Sequence, residues 1–247
     1  MSKTGKVKAF VVHLFISVVI FLGLFLFIKY SLYPGVLFEI DGGKQGLVII
    51  ALVDLVIGPL LTLIVYKKGK PGLTNDLVLI GVFQFACLAA GLSVTMHERP
   101  LALVLSYDGF HAVNRSSLDM YDKDASGDSF WAGELPKYLY VELPTDKSER
   151  LPLQLSQLKN GPLYMRKSLL KSMGSKEFEA SRFGVKKEYI IEACPALSGV
   201  LDQIEAKYNL MDKHIIYMQL IGKYVTSYVV FNNDARRIVE VLPSDKC

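Results

Sequence analysis

YPGVLFEIDGGKQGLVIIALVDLVIGPLLTLIVY, residues Tyr33 to Tyr66, joins a glycine-rich, charged turn to an apolar run long enough to cross a bilayer. Pro34, Gly35, Gly42, Gly43 and Gly46 allow tight or left-handed backbone beside Glu39, Asp41 and Lys44. The run from about Leu47 to Tyr66 carries Asp54, and a carboxylate inside a span is costly enough to read as functional. Pro59 lacks an N–H and its ring clashes with the carbonyl of Leu55, so Gly58-Pro59 predicts a helix break near the middle of the span. Ala51, Asp54, Gly58 and Thr62 recur at helical spacing as a small, polar stripe that lets another helix approach closely.

Two further apolar runs flank this stretch. Lys3, Lys6 and Lys8 precede the run Ala9 to Ile28, and KKGKPGLTN, with Lys67, Lys68 and Lys70, precedes the run Asp76 to Thr95. Hydrophobic residues make up 51% of the chain and the mean hydropathy is +0.31, high values for an ordinary soluble protein. The first run is long and ends in bulky Phe25-Leu26-Phe27-Ile28, not in a small-residue cleavage site, which favours a retained anchor over a cleaved signal. Lysines before the first and third runs place both segments in the cytoplasm, so the 33–46 turn and everything after His97 lie outside. The expected architecture is a membrane protein: three transmembrane helices over residues 1–96, N-terminus inside, then an exported α+β domain over residues 97–247. A net charge of +4, with its lysines clustered beside the apolar runs, excludes nucleic acid as the natural partner.

In the second part, Leu101 to Ser106 and the stretch after Tyr107-Asp108-Gly109-Phe110 read as a hairpin. Lys137 to Leu143 reads as a strand, Gln154 to Leu158 and Gly161 to Met173 as helices, and Leu197 to Tyr208 as an amphipathic helix. Ile215 to Leu220, Tyr224 to Phe231 and Ile238 to Leu242 alternate as closing strands, with Asn232-Asn233-Asp234 as a turn. In an oxidising exterior Cys194 and Cys247 are the natural disulfide pair, leaving Cys87 as a buried free thiol in the third span.

HExxH, GxSxG, a Walker-type loop and a GxGxxG after a strand are all missing from the sequence, which points away from an enzyme and from any cofactor. His13, His97, His111 and His214 are too scattered to suggest a metal. Asp122 to Asp128 matches the first half of a calcium loop, but position twelve is Gly133, so a solvated loop is favoured. The third span offers its own stripe in Gly81, Gln84, Cys87 and Gly91. Asp54 therefore has two readings: an internal contact to Lys29 or Gln84 that only holds the helices together, or part of a receptive patch for an incoming group.

The order of a lysine-led first span, YPGVLFEIDGGKQG, VDLVIGPLLTLIVY and a third span ending near ERPLALV resembles the type IV pilin accessory proteins of the TfpX/TfpZ kind. The resemblance covers about the first 105 residues closely and extends to YMQLIGKYVTSYVVFNNDARRIVEVLP near the end. It implies a multi-pass protein of the bacterial inner membrane with a periplasmic C-terminal domain, needed for a cognate major pilin to be assembled. That is a chaperone-like role, with the pilus assembly machinery as a further partner. Under it, Asp54, Gly58, Pro59 and Thr62 would meet the pilin helix, with Asp41, Gly42, Gly43 and Gln45 in the adjoining docking turn. The alternative from another class is a small subunit of a transporter or membrane enzyme using Asp54 as an ion or proton group.

Overall fold

A computed structural model of the chain describes residues 3–121, 127–144, 146–208 and 215–243. It divides into two units, Met1–Arg99 and Pro100–Cys247.

In the first unit, α1 (Lys3–Phe27) runs on through a π-helical turn, Ile28–Leu32. After the short α2 (Leu37–Ile40), α3 (Gly43–Ala51), a π-helical segment (Leu52–Ile57) and α4 (Gly58–Val65) follow one another without interruption, and α5 (Leu73–His97) closes the unit. These give three helices long and apolar enough to span a membrane, Thr4–Leu32, Gly43–Val65 and Leu73–His97. The shortest, at 23 residues, is roughly 35 Å long, enough for a hydrocarbon core of about 30 Å. The second is the most buried and packs against both others.

The helix break expected at Gly58-Pro59 does not occur. Gly58 N–H donates to Val53 O, five residues back, so the segment ahead of the proline is wound wider than an α-helix. That widening relieves the clash between a proline ring and the carbonyl four residues earlier, and the span continues. The turn before it is compact because of its glycines. Gly42 caps α3 with φ 110°, and a Cβ on Gly43 would lie 2.8 Å from the Phe38 ring. Tyr33 Oη donates to Thr95 O at 3.1 Å, pinning the turn to the end of α5.

The second unit is a seven-stranded mixed sheet with helices, its strands β1 (Pro100–Ser106), β2 (Gly109–Asn114), β3 (Lys137–Val141), β4 (Leu170–Ser172), β5 (Ile215–Ile221), β6 (Thr226–Asn232) and β7 (Arg237–Val241). Their order is β4-β3-β1-β2-β5-β6-β7. The β1–β2 and β5–β6–β7 hairpins fall where alternation placed them, while β1 with β3 and β2 with β5 pair in parallel. The helices are α6 (Arg115–Tyr121), α7 (Lys147–Leu155), α8 (Gln157–Asn160), α9 (Lys187–Ala193) and α10 (Ser198–Tyr208). Leu101, Val104, Val113 and Leu139 form one core with Trp131 and Leu163. Val230 and Leu242 form another with Ile190, Leu197 and Leu201. Phe110 and Phe231 lie on the face opposite to Val104 and Val230, their rings tilted against each other, and Phe178 meets Phe231 edge-on.

The expected helix Gly161 to Met173 is a correction. Gly161 takes φ 75°, two 3-10 turns follow over Leu163–Met165 and Lys167–Leu169, and Leu170 to Ser172 pairs antiparallel with β3 as β4. Gly161, in the left-handed region, ends α8, and the edge of β3 recruits the extended backbone from Leu170 to Ser172.

Candidate functional site

Asp54 is 2% exposed and lies in the π-helical segment at the centre of the three-helix bundle. Its Oδ1 accepts from Ser17 Oγ at 3.2 Å, from the first span, and from Gln84 Nε2 at 3.1 Å, from the third. Its Oδ2 is buried and has no hydrogen-bond partner among the described residues. One turn along α1 from Ser17, His13 Nδ1 lies 2.5 Å from Thr62 Oγ1, and further on Lys6 Nζ donates to Ile64 O at 3.5 Å. His13 and Ser17, four residues apart, stand on one face of α1, so these contacts form successive polar rungs between the first and second spans.

Gly58 is why Gln84 can reach Asp54. A Cβ at Gly58 would fall 1.9 Å from Gln84 Nε2, so any side chain there would displace the amide from the carboxylate. Pro59 and Thr62 are also buried, Thr62 to 3% exposure. The stripe expected to receive a foreign helix is therefore filled by the chain's own first and third spans. The stripe on the third span divides: Gln84 faces Asp54, Gly91 packs on Ile50, and Gly81 is open to the surroundings. Cys87 is free and half-buried, less enclosed than expected.

Lys29 does not reach Asp54. Its Nζ lies over the rings of Phe25, Tyr30 and Phe38 at 5.4, 5.9 and 5.7 Å. Aromatic faces attract the ammonium without the cost of carrying it into the bundle centre.

Asp41, Gly42, Gly43 and Gln45 sit at the start of the second span, roughly 16 Å along the helix from Asp54. Asp41 is 3% exposed, and Gln45 Oε1 is buried without a hydrogen-bond partner among the described residues. The candidate residues thus fall into two sets on one span. Ser17 was missed and His13 was weighed only as a metal ligand, although polar residues four apart in an otherwise apolar run were the signal that could have found them.

In the second unit, His111 Nε2 lies 2.9 Å from Asp108 Oδ1, and its ring stacks on Tyr164 at 3.9 Å. Burial pushes the Asp108 carboxyl up, but the hydrogen bond and charge of His111, with hydrogen bonds from its own backbone and Ser106, together hold the group below its ordinary value. Asp128 caps a 3-10 turn through Phe130 N and pairs with Lys167 at 2.5 Å, while the rest of the calcium-like loop, 122–126, lies outside the described residues. Among the described residues no group of three or more His, Cys, Asp or Glu is placed to hold a metal. Cys194 is 5% exposed in the core beside Leu197 and Leu201. Its expected partner, Cys247, lies outside the described residues, as does His214.

No protein-family model, curated protein or solved structure matches this chain. Its geometry defines a membrane-associated class: three apolar helices whose interior polar groups bond to one another, followed by a mixed sheet with helices.

Proposed function

We propose that this chain is a non-catalytic accessory protein of a bacterial inner membrane that holds a cognate type IV major pilin for assembly, with its N-terminus in the cytoplasm and its second unit in the periplasm. The resemblance carried by residues 33–66 motivates the partner. The observation that supports an accessory role is that Ser17, Asp54 and Gln84 bond to one another across all three spans. A bundle tied at its centre is a fixed anchor, and it leaves pilin contact to the apolar outer faces of the helices and to the second unit. Deleting the gene tests this: surface pili disappear while total pilin is still made. Unchanged piliation overturns it. A photo-crosslinker at outward residue 85 should reach pilin, whereas one at inward residue 62 should reach only this chain.

One observation favours the transporter or membrane-enzyme reading, namely the partnerless Asp54 Oδ2. On that reading Asp54→Asn abolishes ion or proton movement in the assembled complex. On the accessory reading the same variant still supports piliation.

A further inference from the structure

The second unit contains a cavity of about 460 Å³, within the size range that encloses small ligands. The end of β3, α7, the segment 177–183 and the tip of the β1–β2 hairpin build it, with Tyr107, Tyr140 and Phe183 as aromatic walls. Five charged residues line it, and they are not equivalent. Glu142 is paired with Lys171 at 2.6 Å, and Glu179 with Arg182 at 2.6 Å. Arg150 and Glu177 form no ion pair among the described residues.

Arg150 is half-buried and held in place, since Nε and Nη2 both donate to Pro144 O, at 3.2 and 3.0 Å. A guanidinium carries five N–H donors, so most of the fork remains for a ligand, and its geometry suits a carboxylate. Glu177 is an exposed carboxylate of the same lining. Its own backbone N–H, the Ser175 hydroxyl and the charge of Lys171 keep its carboxyl below the ordinary value, so it is an anion at neutral pH. An anion beside aromatic rings suits an ammonium or guanidinium.

We infer that this cavity binds a dipolar peptide ligand, its carboxylate on Arg150 and its cationic group on Glu177 between the aromatic walls. The free termini of a short peptide supply that chemistry, and so does a segment of a partner protein bearing an acidic and a basic side chain. The inference does not depend on the pilin reading.

Calorimetric titration of the full-length protein in detergent micelles tests it, with unblocked trialanine, its acetylated and amidated form, and a blocked peptide containing one glutamate and one lysine as probes. Trialanine should bind saturably and its blocked form at least about tenfold more weakly, as expected from losing charged hydrogen bonds. Arg150→Gln and Glu177→Gln should each weaken trialanine by a similar factor. Preference for the glutamate-lysine peptide would assign the same two contacts to a partner segment, and Arg150 and Glu177 variants should weaken that probe instead. Should Arg150→Gln fail to fold, Glu177→Gln, at an exposed position, and Arg150→Lys decide the matter. Failure of both charged probes to saturate, or equal binding by wild type and variants, overturns the inference.

Discussion

In the first unit the buried side chains include Ser17, Asp54, Thr62 and Gln84, each at most 5% exposed, while Phe15, Ile64 and Phe85 stand outward at 69, 70 and 74%. In the second unit Val104, Phe110, Met218 and Val229 are 0% exposed, and ion pairs such as Lys207 with Glu240 lie outside. The contrast is the one expected between helices apolar enough to span a membrane and a sheet packed in water. Water drives apolar side chains together in the sheet, where burial itself stabilises the core. Lipid gives apolar side chains no reason to leave it, so helices associate through close packing and hydrogen bonds among small and polar residues. Polar contacts thus tie the centre of the first unit, beside a buried apolar set that includes Ile28, Leu37 and Ile50, whereas the core of the second unit is mainly apolar.

The largest expected effect would separate the two units chemically. Non-reducing peptide mapping should recover Cys194 joined to Cys247, with Cys87 open to alkylation. Reduction, or Cys194→Ser, should lower the stability of the second unit by about 4 kcal/mol in denaturant unfolding and leave the helical bundle unaffected. Next come core truncations. Leu103→Ala, at a site 1% exposed, should cost about 3 kcal/mol, whereas Phe85→Ala on the outer face of α5 should stay within about 0.5 kcal/mol when unfolding is followed in bicelles. Equal losses at the two sites would break the comparison.

Glycines give a third test. Gly109 has φ 136° and a Cβ there would lie 2.5 Å from the Gln219 carbonyl oxygen, so Gly109→Ala should destabilise by about 2 kcal/mol or more in thermal melts. Gly81→Ala, with open surroundings, should be nearly silent. Asp54→Ala should cost about 1–2 kcal/mol, because Ser17 and Gln84 lose their shared acceptor, and Asp54→Asn less. The smallest effect depends on pH. The folded state holds the Asp108 carboxyl below its ordinary value, so the stabilisation from its hydrogen bonds and the contact with His111 is fully present above the ordinary carboxylate range and fades as pH falls through the folded value. The stability difference between wild type and Asp108→Asn should therefore shrink in acid, and a constant difference would show that the folded state does not hold this carboxyl down.

Much of this fold was readable in the sequence because its signals are local. The three spans followed from apolar length, and the β1–β2 hairpin from Asp108-Gly109 between two alternating runs. The C-terminal strands followed from alternation around Asn232. The strand β4 was not readable, since its three residues are extended only because β3 offers an edge. At the candidate site, Asp54 stood out by its cost in a span, and its partner Gln84 was one of two weighed. Ser17 went unremarked and His13 was weighed only as a metal ligand, because a single polar residue in an apolar run does not show which residue of another span it meets.

The stretch Tyr33 to Tyr66 shows where the division lies. Sequence by itself determined that it pairs a glycine turn with a span and that Asp54, Gly58 and Thr62 share a face, because helical periodicity is a property of the backbone alone. Tertiary structure decided that this face turns inward onto the first and third spans, and that Pro59 is absorbed by a π-helical segment instead of breaking the helix. Whether a polar face stays open or closes depends on which donors the neighbouring helices bring to it, and that is a relation between segments distant in the chain.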